Sequence, residues 1–175
     1  KAPLDAKQLV GVKADLTVDH EQSVISKGVP YLSTGDKDGG WYHLSLKNSK
    51  IRFMVWDEST LSSPEGDLPA DLTWDSNTWY FIAVVRDVAT TELNAYLDGE
   101  LISTATDELM ESIANNEDLT FGSVANGVNN SAPDGTNFWD SNFLGSLDEV
   151  QLYNVALTST QIKAIYDAYL TVGVD

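Results

Sequence analysis

The sequence predicts an all-β, antiparallel domain closed by one short helix near its C-terminus. Three observations predict it. Apolar residues alternate with polar ones in segment after segment, turn-forming pairs separate those segments, and a capped run at helical spacing occurs near the end of the chain.

Taken in order, Val10, Val12, Ala14, Leu16 and Val18 alternate, and Ser23 to Ser26 forms a short strand-like run. Tyr42, Leu44 and Leu46 share one parity, Asn48-Ser49 offers a tight turn, and Ile51, Phe53 and Val55 resume the alternation as a hairpin with one buried face. Trp79, Phe81, Ala83 and Val85 alternate next, and are assigned together to the core. Arg86 to Thr91 turns, and Leu93, Ala95 and Leu97 return.

Asp98-Gly99 then suits a type I′ turn, in which both central residues need positive φ, and Leu101-Ile102 opens the following strand. Residues 42 to 105 thus read as an antiparallel meander. A weaker helical pattern runs from Asp107 to Ala114, and Leu119 to Ser123 and Gly145 to Tyr153 read as strands on either side of a long polar loop. The C-terminal helix has its own start signal. Thr158 and Gln161 form a capping box, and Ile162, Ile165, Tyr166 and Tyr169 fall on one face. Trp74 is read as structural.

At 175 residues the chain is long enough for one well-buried core, and residues 1–175 are taken as one domain. Ten Lys and Arg against 27 Asp and Glu give a net charge of -17. Nucleic acid and anionic membrane surfaces both require a basic footprint, so neither is an expected partner. Strongly acidic glycans would be repelled as well, which favours a neutral ligand or one held through a cation. There is no cysteine, so the fold rests on its apolar core without disulfides or thiolate metal sites. No apolar run approaches a membrane span, and Lys1 to Lys7 carries no signal-peptide core, as expected of a mature or excised module.

Three segments together carry a family resemblance: "SVISKG" ahead of "WYHLSLKNSKIRFMV", then "NTWYFIAVVRDVATTELNAYLDGELI", then "FLGSLDEVQLYNVALTSTQI". In order and spacing they resemble the laminin-G-like, concanavalin-A-like jelly-roll domains of bacterial carbohydrate-active enzymes and adhesins. The resemblance implies a two-sheet antiparallel jelly-roll sandwich, a bacterial and extracellular or cell-surface setting, a monomer, and a calcium ion of structural role. Asp148, in the Gly-x-Leu-Asp segment, is the metal ligand it implies. It also implies more strand ahead of "GVKADLTVD" than this chain has, so either the edge strand is short or Thr171 to Asp175 replaces it. "GDKDGG", with Asp36 and Asp38, looks like half of a calcium loop, but Lys47 at its twelfth position excludes an EF-hand, and a plain turn is the reading adopted.

The fold hosts lectins, binding modules, lyases and glycosidases, so function is argued from the site. Laminarinase-type members carry a Glu-x-Asp-x-x-Glu run that puts carboxylates on one side of a strand, and no such run occurs here. Asp148 and Glu149 are adjacent, and on a regular strand they diverge to opposite faces. The lyases use a Tyr and a His, whereas His20 and His43 lie outside any segment resembling those motifs. No Gly-x-Ser-x-Gly elbow is present. The expectation is a non-enzyme.

If Leu44, Leu46, Phe53 and Val55 face the core, the opposite parity brings Trp41, His43 and Ser45 beside Arg52, Met54 and Trp56 on an exposed sheet face. Aromatic rings stack on the C–H side of a pyranose, while Arg, His and Asn give directional hydrogen bonds to hydroxyls. Arg86 and Asn94 are expected to extend this face. The loop from Asn126 to Asn142 adds Asn137 and Trp139 as candidates for a specificity loop over the ligand. The expected ligand is a polysaccharide or oligosaccharide, and the expected partner is the catalytic domain of a larger enzyme. The rivals are a calcium-dependent protein-binding adhesin domain and a divergent polysaccharide lyase or glycoside hydrolase.

Overall fold

Strand alternation resolves into two antiparallel sheets packed face to face. The computed structural model describes residues 7–14, 21–28, 40–47, 50–56, 61–62, 65–67, 74–107, 113, 116, 118–123 and 142–172. The first sheet contains β1 (Lys7–Ala14), β7 (Tyr80–Asp87), β8 (Glu92–Leu97), β9 (Glu100–Thr106) and β11 (Gly145–Tyr153), in the order β11-β1-β7-β8-β9. The second contains β2 (Gln22–Lys27), β3 (Trp41–Lys47), β4 (Lys50–Trp56), β5 (Leu61–Ser62), β6 (Glu65–Asp67) and β10 (Leu119–Phe121). Its order is β10-β2-β3-β4-β5, with β6 also on β4. The helix α1 spans Ser159–Val172. This is the expected sandwich with one C-terminal helix.

Between the sheets lie Val12, Val24, Ile25, Leu44, Leu46, Ile51, Phe53, Ile82, Val84, Leu93, Ala95 and Leu97, all buried. Their parity matches the sequence expectation on β3, β4 and β8. On β7 Phe81, Ala83 and Val85 are buried as expected, but the opposite parity is buried as well. Tyr80, Ile82 and Val84 face the other sheet, while Phe81, Ala83 and Val85 form a second core with Tyr96 and Ile162 beneath α1. Because both faces of β7 are covered, its apolar residues run without interruption, as in strands buried on both sides. Trp79 lies beyond that cover. It is 48% exposed, and so is not the core residue its parity implied.

Trp74 is structural as read: its ring stacks on Tyr80 at 4.1 Å between centroids, and its Nε1 donates to the Ala14 carbonyl at 3.0 Å. The start of the chain also differs from expectation. β1 is an inner strand between β11 and β7, not a short edge, and Thr171 and Val172 belong to α1. Asp107 and Ile113 are not helical, and the other residues of the weak helix expected from Asp107 to Ala114 lie outside the described residues.

Asp98 and Gly99 both take positive φ, 50° and 81°, in the two-residue turn between β8 and β9. The turn sits under the helix: a Cβ on Gly99 would meet Lys163 Cδ at 2.8 Å and Tyr166 Cδ1 at 3.0 Å. The capping box forms as read, with Gln161 Oε1 accepting from the Thr158 amide at 2.8 Å and Thr158 Oγ1 accepting from the Gln161 amide at 3.3 Å. Ile162, Ile165, Tyr166 and Tyr169 then lie against Phe81 and its neighbours.

Candidate functional site

The β3–β4 ladder pairs Trp41 with Trp56, His43 with Met54 and Ser45 with Arg52. On the other side of β3, Ser23 pairs with Ser45 and Ser26 with His43. Cross-strand partners point to the same face, so Trp41, His43, Ser45, Arg52 and Met54, with Ser23 and Ser26, share the side of the second sheet turned away from the core. Trp41, His43 and Arg52 are therefore brought together as the sequence predicted. Trp56 stands opposite Trp41 in the backbone register, and its side chain lies outside the described residues.

The expected openness of this face is corrected. Trp41 is 6% exposed, Met54 3%, and Ser23, Ser26, His43 and Ser45 are fully buried. Parity fixes the direction in which a side chain leaves the sheet. It does not fix whether solvent lies there.

What the face contains is a hydrogen-bonded polar array. Glu21, just ahead of β2, accepts the Ser45 hydroxyl at Oε1 and accepts Arg52 Nη1 at Oε2 over 2.7 Å. The Glu21 side chain is 1% exposed and that of Arg52 19%, so the array reaches solvent at Arg52. Ser23 Oγ lies 3.0 Å from His43 Nε2, and the His43 and Trp41 rings sit 6.4 Å apart. Burial, and then the positive charge of Arg52, lower the His43 pKa to about 3, so the imidazole is neutral at physiological pH. Ser26 Oγ is buried without a hydrogen-bond partner among the described residues. Sequence reading placed Ser45 on this face but missed Glu21, Ser23 and Ser26. The available signal was the acid entering a strand whose outward positions are serines.

Arg86 does not extend this face. It lies on β7 in the other sheet, opposite Leu93 and in the parity of Ile82 and Val84. Its fully buried guanidinium donates from Nε to Asp107 Oδ2 at 2.6 Å. Asn94 is opposite Val85, on the helix side of the first sheet, and accepts from Thr104 Oγ1 at 2.6 Å. Asn137 and Trp139, with most of the Asn126 to Asn142 loop, lie outside the described residues.

The divergence expected of Asp148 and Glu149 is also corrected. Leu147 and Val150 both pack on the inter-sheet core, and Glu149 takes φ 50° where the β1–β11 register shifts. This bulge leaves both acids on the side away from the core. The Tyr169 phenol senses both: burial, then Glu149, Tyr153 and Asp148, raise its pKa. Asp148 Oδ1 accepts the Glu149 amide at 2.8 Å. Calcium takes about six to eight oxygens, and these two carboxylates can supply part of such a shell. Among the described residues, no three His, Cys, Asp or Glu side chains cluster as a metal site.

Residues 12–163 match the laminin-G-like family described as the Concanavalin A-like lectin/glucanases superfamily. No curated protein sequence matches significantly. Among solved structures, the fold is similar to the Ruminococcus gnavus IT-sialidase CBM40 bound to α2,3-sialyllactose. That match has 18% identity and a TM-score of 0.67, covering 94% of this chain and 84% of that one. It is also similar to a SAP-like pentraxin of Limulus polyphemus, at 13% identity and TM-score 0.62, covering 94% and 70%. The receptor-binding domain of botulinum neurotoxin type G matches at 15% identity and TM-score 0.67, covering 95% of this chain and 38% of that one. At these identities the likeness is one of fold.

Proposed function

We propose that this chain, which belongs to the Concanavalin A-like lectin/glucanases superfamily, is a non-catalytic carbohydrate-binding module. In this reading it targets an attached polysaccharide-degrading enzyme to its glycan, raising local concentration by tethering. The observation that carries the reading is the array of Glu21, Ser45 and Arg52 beside Ser23 and His43. Apolar side chains would fill a covered sheet face at lower cost than a buried carboxylate and its partners. Retaining them suits a recognition surface that holds its hydrogen-bonding groups in place before a ligand arrives. Arg52 makes the first contact, and the buried members fix its orientation.

The CBM40 complexes with sialyllactose add support by fold, from proteins whose likeness is structural. Trp56, Asn137 and Trp139 are further proposed ligand contacts. An extracellular or cell-surface location and a structural calcium ion at Asp148 belong to the same proposal.

The test is a glycan-array and polysaccharide affinity-gel screen with calcium and with EDTA, with reducing ends and unsaturated products assayed in the same mixtures. Selective retardation without product is the expected result, weakened by Arg52→Gln. Product release would replace the module with an enzyme. Retention by matrix proteins without any glycan selectivity would favour the adhesin reading. A melting temperature indifferent to EDTA would remove the calcium ion.

A further inference from the structure

We infer that Glu21 is a specificity-determining residue that sets the site for neutral rather than acidic glycans; the inference rests on the carbohydrate-binding reading above. Arginine is the usual side chain for gripping a sugar carboxylate, because its planar fork matches two carboxylate oxygens. Here one arm of that fork is already engaged by a carboxylate of this chain. Arg52 Nη1 donates to Glu21 Oε2 at 2.7 Å, and the Glu21 carboxylate is 1% exposed, so its charge is held in a poorly solvated place.

A carboxylate arriving at the outer side of Arg52 meets a guanidinium whose charge is already balanced. It also approaches the like charge of Glu21 across that guanidinium, where water screens little. His43, beside Arg52 on this face, stays neutral, with a pKa of about 3, and the lysines of the face, Lys47 and Lys50, pair with each other at the far, hairpin end of the ladder. In the backbone register of the β4–β6 ladder Lys50 is opposite Asp67 and Arg52 is opposite Glu65. Around all of this the chain carries a net charge of -17.

A hydroxyl group incurs none of these penalties. It can accept from Arg52 without bringing a second negative charge, and the Ser45 hydroxyl donated to Glu21 holds that carboxylate in place. The array is therefore a rigid, charge-balanced donor surface, suited to uncharged pyranose hydroxyls.

The experiment is an affinity comparison of matched probes on the intact chain: lactose, 3′-sialyllactose and 6′-sialyllactose, and neutral polysaccharides against their uronic-acid-bearing counterparts, at low and high salt. The wild type is expected to bind the neutral member of each pair more tightly, with the gap narrowing at high salt. Glu21→Gln keeps the side-chain size and an acceptor for Arg52 while removing the charge. It is expected to raise affinity for the acidic member by about tenfold or more, the worth of one charge-assisted hydrogen bond.

Tighter wild-type binding of the acidic probes would overturn the inference and leave glycan binding standing, as would an unchanged preference in a folded Glu21→Gln. Binding of no glycan at all would overturn the carbohydrate-binding reading itself, and this inference with it. The wild-type comparison needs no variant to fold. Should Glu21→Gln melt early, Arg52→Gln gives the complementary reading. It is expected to weaken neutral binding without any gain for acidic probes, and a gain would refute the role of Glu21.

Discussion

Removing Arg86 while leaving Asp107 in place should strand a buried negative charge. The two side chains are at most 1% exposed and meet at 2.6 Å, Nε to Oδ2, at the end of the inter-sheet layer. Asp107 also anchors the chain as it leaves β9, its amide donating to the Thr91 carbonyl at 2.8 Å. Breaking a buried pair from one side typically costs about 3–5 kcal/mol. For a chain of this size each kcal/mol moves the melting temperature by about 2–4 °C, so Arg86→Met should lower it by roughly 6–20 °C. Arg86→Met with Asp107→Leu removes both charges and should recover most of that loss. Urea denaturation followed by circular dichroism measures all members of the cycle. A single variant within about 1 kcal/mol of wild type would refute the argument, because an uncompensated carboxylate cannot be buried so cheaply. The same variant, at a temperature where it is folded, should bind glycan like wild type, since Arg86 lies in the other sheet.

Gly99→Ala should cost roughly 2–4 kcal/mol, combining an unfavourable positive φ with overpacking against Lys163 and Tyr166. Lys163→Ala in the same chain should restore only part of it in denaturant titration; full restoration would show that φ carries no cost. Thr158→Ala should lose about 0.5–2 kcal/mol through the capping box, read as faster amide exchange in the first turn of α1, and unchanged exchange would contradict the cap. His43 predicts a pH dependence. Unfolded histidine protonates near pH 6.5 but folded His43 only near 3, so its neutral burial contributes fully above about pH 6.5. That contribution is lost as pH falls toward 3, by up to about 1.4 kcal/mol per pH unit. The stability difference between wild type and His43→Gln should therefore shrink on acidification through that window. A difference flat in pH would show that His43 protonates freely in the folded protein.

The sequence made parity legible and cover illegible. Alternation placed Trp41, His43, Ser45 and Arg52 on one face, and the β2–β4 ladders put them there. It could not say that the face is closed, because burial depends on segments distant in sequence. β7 shows the same limit from the other side. Its unbroken run from Tyr80 to Val85 is apolar on both parities, since one faces the second sheet and the other faces α1. Choosing the odd residues as core therefore left Trp79 inside and Arg86 outside, and both assignments were reversed. At Asp148 and Glu149 the failure was of register. Leu147 and Val150 are three apart and both inward, a spacing that a period of two misses but that reads directly as a bulge.

Glu21 was missed for a related reason. A single acid ahead of a strand is usually a solvated surface group, and its meaning comes only from Ser45 and Arg52, which lie 24 and 31 residues further along the chain. The strands that carry or adjoin these three residues fold for reasons that owe nothing to the array: Val24, Ile25, Leu44, Phe53 and Val55 on their inner faces would form the same sheet without it. Stability of the sandwich thus constrains one parity and leaves the other open to selection by ligand. On the first sheet that second parity was spent on seating α1. On the second sheet it carries a buried carboxylate, an arginine and a neutral histidine, and a face that served only to be covered would be less costly to build from the residues found under the helix.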